Sequence, residues 1–264
     1  LNKMQIAVTG ANGYLGGFIA DQFEKKDHDV IRMQRTTDDE VSPRIRHFSL
    51  DAPQSAKLDD IDLLVHCAYD FSKKSWLEIE QQNVTNTISL FKRAVEVGIS
   101  HTFYISSLSA FQGCSSNYGQ AKLRVERFCN QNNIYVIKPG LVVGDDLSGI
   151  TGILADICKW TLLLPYPYSR DSRLSITERC DIFNCITSHM EEEIGSATET
   201  MVTSKTNLKL KEALHLICAG QGVRPPLMLP IPAFFFLALL KLWQLINPSA
   251  RIGPDNLRSF LSLK

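Results

Sequence analysis

The sequence predicts an α/β protein built on a doubly wound parallel sheet, and three observations carry that prediction. Short apolar runs at residues 4–8, 29–33, 62–67, 101–105 and 134–138 alternate with helical stretches at 14–26, 76–97 and 118–131. Strands separated by helices of that length pair in parallel through right-handed crossovers. Three glycines spaced three apart, Gly10, Gly13 and Gly16, join the first strand to the first helix. Ser107 and Pro139 follow later strands at their C-terminal ends, where open sheets of this kind place their ligands.

Taken in order, the run from Met4 to Val8 is the first strand and Thr9-Gly10-Ala11-Asn12-Gly13-Tyr14-Leu15-Gly16 turns it into a helix. Gly10 permits the tight turn, Gly13 lets backbone approach a pyrophosphate, and Gly16 lets the helix pack closely on the sheet. The N–H groups and the positive dipole end of the helix starting near Tyr14 would then hold the pyrophosphate of a dinucleotide. The second strand ends at Gln34, flanked by Arg32 and Arg35. A carboxylate there would accept both ribose hydroxyls and repel a 2′-phosphate; a neutral Gln34 beside Arg35 favours NADP, with NAD the alternative. A third strand candidate, Ile45 to Leu50, leads into Asp51, whose local role is to cap the turn ahead of Pro53.

Farther along, Tyr118-Gly119-Gln120-Ala121-Lys122 sets a Tyr and a Lys four apart, and Leu123, Val125 and Phe128 continue in helical period. Both side chains then project from one helix face. An ammonium near a phenol favours phenolate and draws the tyrosine pKa toward working pH, which makes the hydroxyl a general acid or base. The pair follows the strand that ends in Ser106-Ser107, about ninety residues after the glycine turn.

With these residues the chain resembles the extended branch of the short-chain dehydrogenase/reductase superfamily, the nucleotide-sugar epimerase/dehydratase-like enzymes, over roughly residues 4 to 190. Thr9 to Gly16 is similar to the family's TGxxGxxG, and Leu64-Val65-His66-Cys67-Ala68-Tyr69 to its VVHxAA strand end. Asn83-Val84-Thr85-Asn86-Thr87 resembles NVxGT, and Phe103-Tyr104-Ile105-Ser106-Ser107 resembles FVYxSS. Tyr118 and Lys122 match YxxxK, and Lys138-Pro139-Gly140-Leu141-Val142-Val143-Gly144 is similar to RPGxVYG. Three departures stand out: Lys138 for Arg, Asn86 for Gly, and Gln112 for a Tyr before Gly113.

The resemblance implies a Rossmann-type NAD(P)-binding domain over residues 1–144 and a small substrate-binding lobe over 145–264, interleaved with it. It implies an NADP-preferring oxidoreductase or epimerase that transfers hydride to or from a nucleotide-linked sugar or a similar keto or hydroxy compound. Catalysis would fall to Ser107, Tyr118, Lys122 and Asn83, with Ser106 and Ser109 as alternatives to Ser107 and a side-chain-to-backbone bond as the alternative role of Asn83. The cofactor would be held by Gly10, Asn12, Gly13, Tyr14, Leu15, Gly16, Arg35, Asp51, Cys67, Ala68, Tyr69, Ser106, Lys122, Pro139 and Val142. An oxidoreductase for an apolar, sterol-like alcohol or ketone and a non-catalytic NAD(P)-sensing protein are the other readings. In the lobe, Arg170 and Arg173 bracket Asp171 and offer a planar fork for a substrate diphosphate, or an ordinary exposed pair.

Composition bounds the partners. With 28 basic and 28 acidic residues the net charge is zero, so no field draws nucleic acid, and a small-molecule substrate is expected. Seven cysteines without a CxxC spacing read as reduced thiols, and the chain enters its first strand without a charged leader, so a cytoplasmic location is expected. The proline-rich apolar segment 227–246 is too interrupted to span a bilayer, which needs about 20 apolar residues. It reads as a helix packed in the lobe, a homodimer contact, or a peripheral membrane contact.

Overall fold

The computed structural model describes residues 3–35, 44–144, 149–168, 173–191, 199–220, 222–246 and 255. In chain order the elements begin β1 (Gln5–Thr9), α1 (Tyr14–Lys25), β2 (Asp29–Gln34), β3 (Ile45–His47) and β4 (Leu63–His66). Then come α2 (Trp76–Ile79), a π-helical turn (Glu80–Thr85), α3 (Asn86–Glu96), β5 (His101–Ile105), α4 (Asn117–Gln131) and β6 (Tyr135–Pro139). After them run β7 (Leu141–Val143), α5 (Gly149–Trp160), β8 (Leu163–Tyr168), β9 (Leu174–Glu178), α6 (Arg179–His189) and β10 (Glu199–Val202). The last are β11 (Lys205–Leu208), α7 (Leu210–Gly220), β12 (Leu227–Pro232) and α8 (Ala233–Ile246).

Two compact units result. One comprises Leu1–Ser107, Ala121–Lys138 and Arg179–Val202, the other Leu108–Gln120, Pro139–Glu178 and Thr203–Lys264. The first unit holds a seven-stranded sheet in the order β10-β6-β5-β4-β1-β2-β3, in which β1, β2, β3, β4, β5 and β6 pair in parallel. Its strands are apolar on both sides because helices cover both. Ala7, Met33, Leu64, Tyr104 and Val136 pack with Leu90, Phe91 and Ala94 of α3 and Ala121, Val125 and Cys129 of α4. Ile6, Val8, Leu63, Val65 and Phe103 alternate with them and are fully buried. On α1 and α6, Phe23 and Phe183 meet edge to face at 4.9 Å.

The stretch expected as one helix over 76–97 contains a π-helical turn at Glu80–Thr85. Within that turn both ends of the Asn83 side-chain amide bond the backbone of Asp70.

The second unit carries a three-stranded sheet, β11-β9-β7, with β9 antiparallel to β11 and parallel to β7, and a ribbon of β12 parallel to β8. Helices α5 and α7 pack together through a buried pair, Cys158 and Cys218. The first turn of α4 also belongs here. Ser116 Oγ accepts from Gly119 N at 3.0 Å, and Asp255 accepts from Asn117 N at 2.8 Å and Tyr118 N at 3.1 Å. Those three N–H groups have no intrahelical partner, so the first turn is satisfied by side chains, and the Asp255 carboxylate also meets the positive end of the helix.

Two stability outcomes follow from this packing. A Cβ at Gly16 would lie 2.4 Å from Gly10 O, backbone that cannot swing aside, so Gly16→Ala should lower unfolding free energy by about 1–3 kcal/mol in a urea titration. Asp255→Ala should cost about 0.5–2 kcal/mol in the same measurement, as the loss of a helix cap does, and an unchanged midpoint would remove Asp255 from that role.

Candidate active site

The turn from β1 into α1 is built on glycine geometry. Gly10 has φ +67°, a left-handed conformation that side chains resist, and a Cβ on it would meet Ala68 Cα and N at 3.0 Å. Its N–H donates to Met33 O at 2.9 Å, and its carbonyl accepts from Gly13 N at 2.8 Å, so the turn is pinned against β2. Gly13 is the N-cap of α1 with no side-chain cap, and no acid stands in the first turn. A helix start without a side-chain cap or an acid fits the pyrophosphate of a dinucleotide, with Asn12, Tyr14 and Leu15 beside it.

Below the turn, Thr9 ties β1 to the end of β4. Thr9 Oγ1 accepts from Cys67 N at 3.2 Å and Ala68 N at 3.3 Å, so both its lone pairs are taken and its O–H donates to His66 Nδ1 at 2.8 Å. His66 therefore carries its proton on Nε2, facing Thr87 Oγ1 at 3.4 Å. Burial, and secondarily Lys122, lowers its pKa to about 3, which keeps the ring neutral. Burial likewise pushes the Cys67 thiol up to about 12, so it stays protonated. Asn83 holds the next segment: Asp70 N donates to its Oδ1 at 2.7 Å, and its Nδ2 donates to Asp70 O at 3.1 Å.

At the end of β2 the two arginines part. Arg32 is engaged by Asp21 at 2.5 Å and by Glu24 at 3.0 Å, which fastens β2 to α1. Arg35 is exposed past the strand end; burial raises the Asp70 carboxyl, but the Ser72 hydrogen bonds and, after them, the charges of Lys73 and Arg35 lower it. Asp51 closes a local turn, accepting from Ser49 Oγ at 2.9 Å while its own N–H donates back to that oxygen.

Lys122 is 3% exposed. Its ammonium donates to Ile105 O at 2.7 Å and sits 4.7 Å from the Tyr104 ring centroid and 5.3 Å from that of Tyr69. Burial pulls its pKa down to about 8, with Cys67 and Glu126 acting the other way. The neighbouring serines differ: Ser106 is buried and its Oγ donates to Glu126, whereas Ser107 is half-buried. Glu126 is also bonded by Lys138 at 3.0 Å, and Lys138 by Glu199 at 2.9 Å. Burial raises the Glu126 carboxyl; it would lower the Lys138 ammonium, but the bonds to Glu199 and Glu126 raise it instead. Lys138, one of the departures from the family pattern, is thus the centre of a satisfied buried charge group.

Within the second unit, Tyr118 is half-buried on the turn that Ser116 and Asp255 cap. A Cβ at Gly119 would lie 2.3 Å from Ser109 O, so only glycine lets that turn close on the Ser109 segment. Pro139 is buried, its carbonyl accepting from Leu108 N at 2.9 Å, and Val142 is half-buried on β7. Arg173 is half-buried ahead of β9, while Arg170 and Asp171 lie outside the described residues. Sequence reasoning missed three participants: Thr9 as the brace, Glu126 and Asp255. Glu126 lies one turn beyond Lys122, a carboxylate on a buried helix face, and that spacing was a usable signal. Asp255 is 138 residues from Asn117 and gave none.

Comparison with known proteins agrees with this geometry. No curated protein matches the sequence. The fold is similar to a UDP-glucose 4-epimerase of Thermotoga maritima solved with UDP-glucose, at 15% identity and TM-score 0.67, covering 87% of this chain and 86% of that one. It is similar to Bordetella bronchiseptica WbmG in complex with NAD and UDP, at 15% identity and TM-score 0.67, covering 88% and 83%. A Helicobacter pylori ADP-L-glycero-D-manno-heptose-6-epimerase shares 14% identity at TM-score 0.68, covering 88% and 85%. The family model of the NAD dependent epimerase/dehydratase family matches residues 6–138, half of the chain, a stretch that includes the glycine turn and Lys122 on α4. The chain belongs to the NAD dependent epimerase/dehydratase family, and is a nicotinamide-dependent enzyme.

Proposed function

We propose that the chain is an NADP-preferring oxidoreductase or epimerase that moves hydride to or from the carbonyl or carbinol carbon of a nucleotide-linked sugar or a similar keto or hydroxy compound. The observation that carries the reading is the buried Lys122 ammonium, fixed on Ile105 O and four residues from Tyr118 on α4. The glycine turn and the first turn of α1 would hold the dinucleotide, Arg35 its 2′-phosphate, and Lys122 its nicotinamide ribose. Bound there, the cofactor supplies or accepts the hydride.

The chain's own groups handle the proton. During reduction Tyr118 would give its phenolic proton to the substrate oxygen, and during oxidation it would take that proton back. Ser107 would donate a hydrogen bond to the same oxygen. The Lys122 ammonium favours phenolate and so draws the Tyr118 proton toward release. Asn83 fixes the Asp70 backbone and with it the segment that bears Tyr69, whose ring faces Lys122. A nucleotide-linked substrate is supported by the UDP-glucose and UDP found in the similar Thermotoga and Bordetella structures. The NADP preference rests on this chain alone: Gln34 is neutral, Arg32 is spent on Asp21 and Glu24, and Arg35 is exposed.

Calorimetry should find NADPH bound more tightly than NADH, and Arg35→Ala should weaken NADPH by about 1.5–3 kcal/mol with little change for NADH. Equal affinities in the unmodified protein would defeat the preference. Turnover screened on UDP-glucose, UDP-N-acetylglucosamine and ADP-linked heptose should identify a substrate on which Tyr118→Phe lowers the rate by about 10²–10⁴-fold while cofactor binding survives. Lys122→Ala should lower turnover and weaken the cofactor together, because both roles are assigned to it. Near-full activity of Tyr118→Phe on that substrate would refute the proton-transfer assignment.

A further inference from the structure

The second unit presents an apolar face to solvent. β8 and β12 run side by side with Leu163 paired to Leu227 and Pro165 to Leu229, and Leu227 N donates to Leu162 O at 2.9 Å. Leu162 is 93% exposed, Trp160 83% and Leu227 74%. Helix α8 follows β12 at once and packs against β8. Its Phe235, Leu239 and Leu242 are exposed at spacings of four and three, an apolar stripe along one side of the helix. Soluble surfaces keep large apolar side chains scattered; gathered like this, they mark a surface that is covered in use.

Charge decides what covers it. Segments 149–168 and 222–246 contain three cations, Lys159, Arg224 and Lys241, against one carboxylate, Asp156, although the whole chain is neutral. All four are exposed. In a two-fold dimer built on this face the patch would meet itself, so an excess of cations would face the same excess, with one carboxylate on each copy to answer them. An anionic lipid surface complements them, and long cationic side chains reach headgroups while their stems lie along apolar ones. Trp160, with the Lys159 ammonium 5.7 Å from its ring centroid, has the chemistry of the bilayer interface. Among the described residues no helix is long and apolar enough to cross a membrane.

We propose that this face of the second unit docks on an anionic lipid surface, with α8 and the β8–β12 ribbon lying in the interface plane rather than spanning the bilayer. This attachment does not depend on the assigned reaction. The full chain should co-sediment with phosphatidylglycerol vesicles, and far less with phosphatidylcholine vesicles or at raised salt. Phe235→Glu with Leu239→Glu should lower the partition coefficient at least about tenfold. Lys159→Glu, Arg224→Glu and Lys241→Glu should each lower it about fivefold or more. The circular dichroism spectrum and melting temperature should stay unchanged, because every one of these residues is exposed. Brominated lipid should also quench the tryptophan fluorescence of the unmodified protein, a measurement that needs no variant to fold. Absence of vesicle binding and quenching would overturn the proposal, as would a solution dimer that Phe235→Glu dissociates in a protein that ignores vesicles.

Discussion

An ammonium taken out of water costs several kcal/mol unless its hydrogen bonds are made inside the protein. Lys122 meets that condition with the Ile105 carbonyl and the faces of Tyr104 and Tyr69. The arrangement constrains its surroundings. Helix α4 must lie against the end of β5, and His66 stays neutral, chiefly through burial and secondarily because Lys122 already brings a positive charge. The ammonium would favour the Cys67 thiolate, but burial outweighs it and keeps the thiol protonated. Thr9 makes this tolerable by spending both lone pairs on the Cys67 and Ala68 N–H groups and its proton on His66. The strand ends under the glycine turn are therefore fixed by polar groups whose bonding capacity is used up.

Other charges of the first unit are similarly committed. Arg32 fastens β2 to α1, Arg46 binds Asp60, and Lys138 joins Glu126 to Glu199. A buried triad of that kind contributes little net stability over an apolar replacement but is costly to break singly. It also divides two adjacent serines: Ser106 is fastened to Glu126, which leaves the hydroxyl of Ser107 as the one assigned to substrate. At the other end of α4, in the second unit, the Asp255 carboxylate completes the first turn under Tyr118.

Legibility in the sequence followed the range of the interaction. The glycine turn, the parallel strands and the Tyr118–Lys122 spacing are local patterns, and the sheet and α4 realise them within a residue or two of the expected limits, except that the strand expected over Ile45 to Leu50 ends at His47. The π-helical turn was not legible, because residues 76–97 read as one helical stretch; the side-chain-to-backbone bond of Asn83 was among the expectations, but its partner Asp70 was not. The Asp255 cap was hidden by its separation in the chain. Segment 227–246 shows a different limit: its composition leaves burial, self-association and lipid contact open, and only the structure shows Phe235, Leu239 and Leu242 facing solvent.

The central claim is that Lys122 is buried to serve a bound dinucleotide and tune a phenol, not simply to brace α4. A crystal structure of the complex with NADPH tests it most directly. The account predicts Lys122 Nζ within hydrogen-bonding distance, about 2.7–3.2 Å, of a nicotinamide-ribose hydroxyl, and the 2′-phosphate on the Arg35 guanidinium. A complex in which Lys122 still bonds only Ile105 O, with the ribose held by other groups, would contradict it.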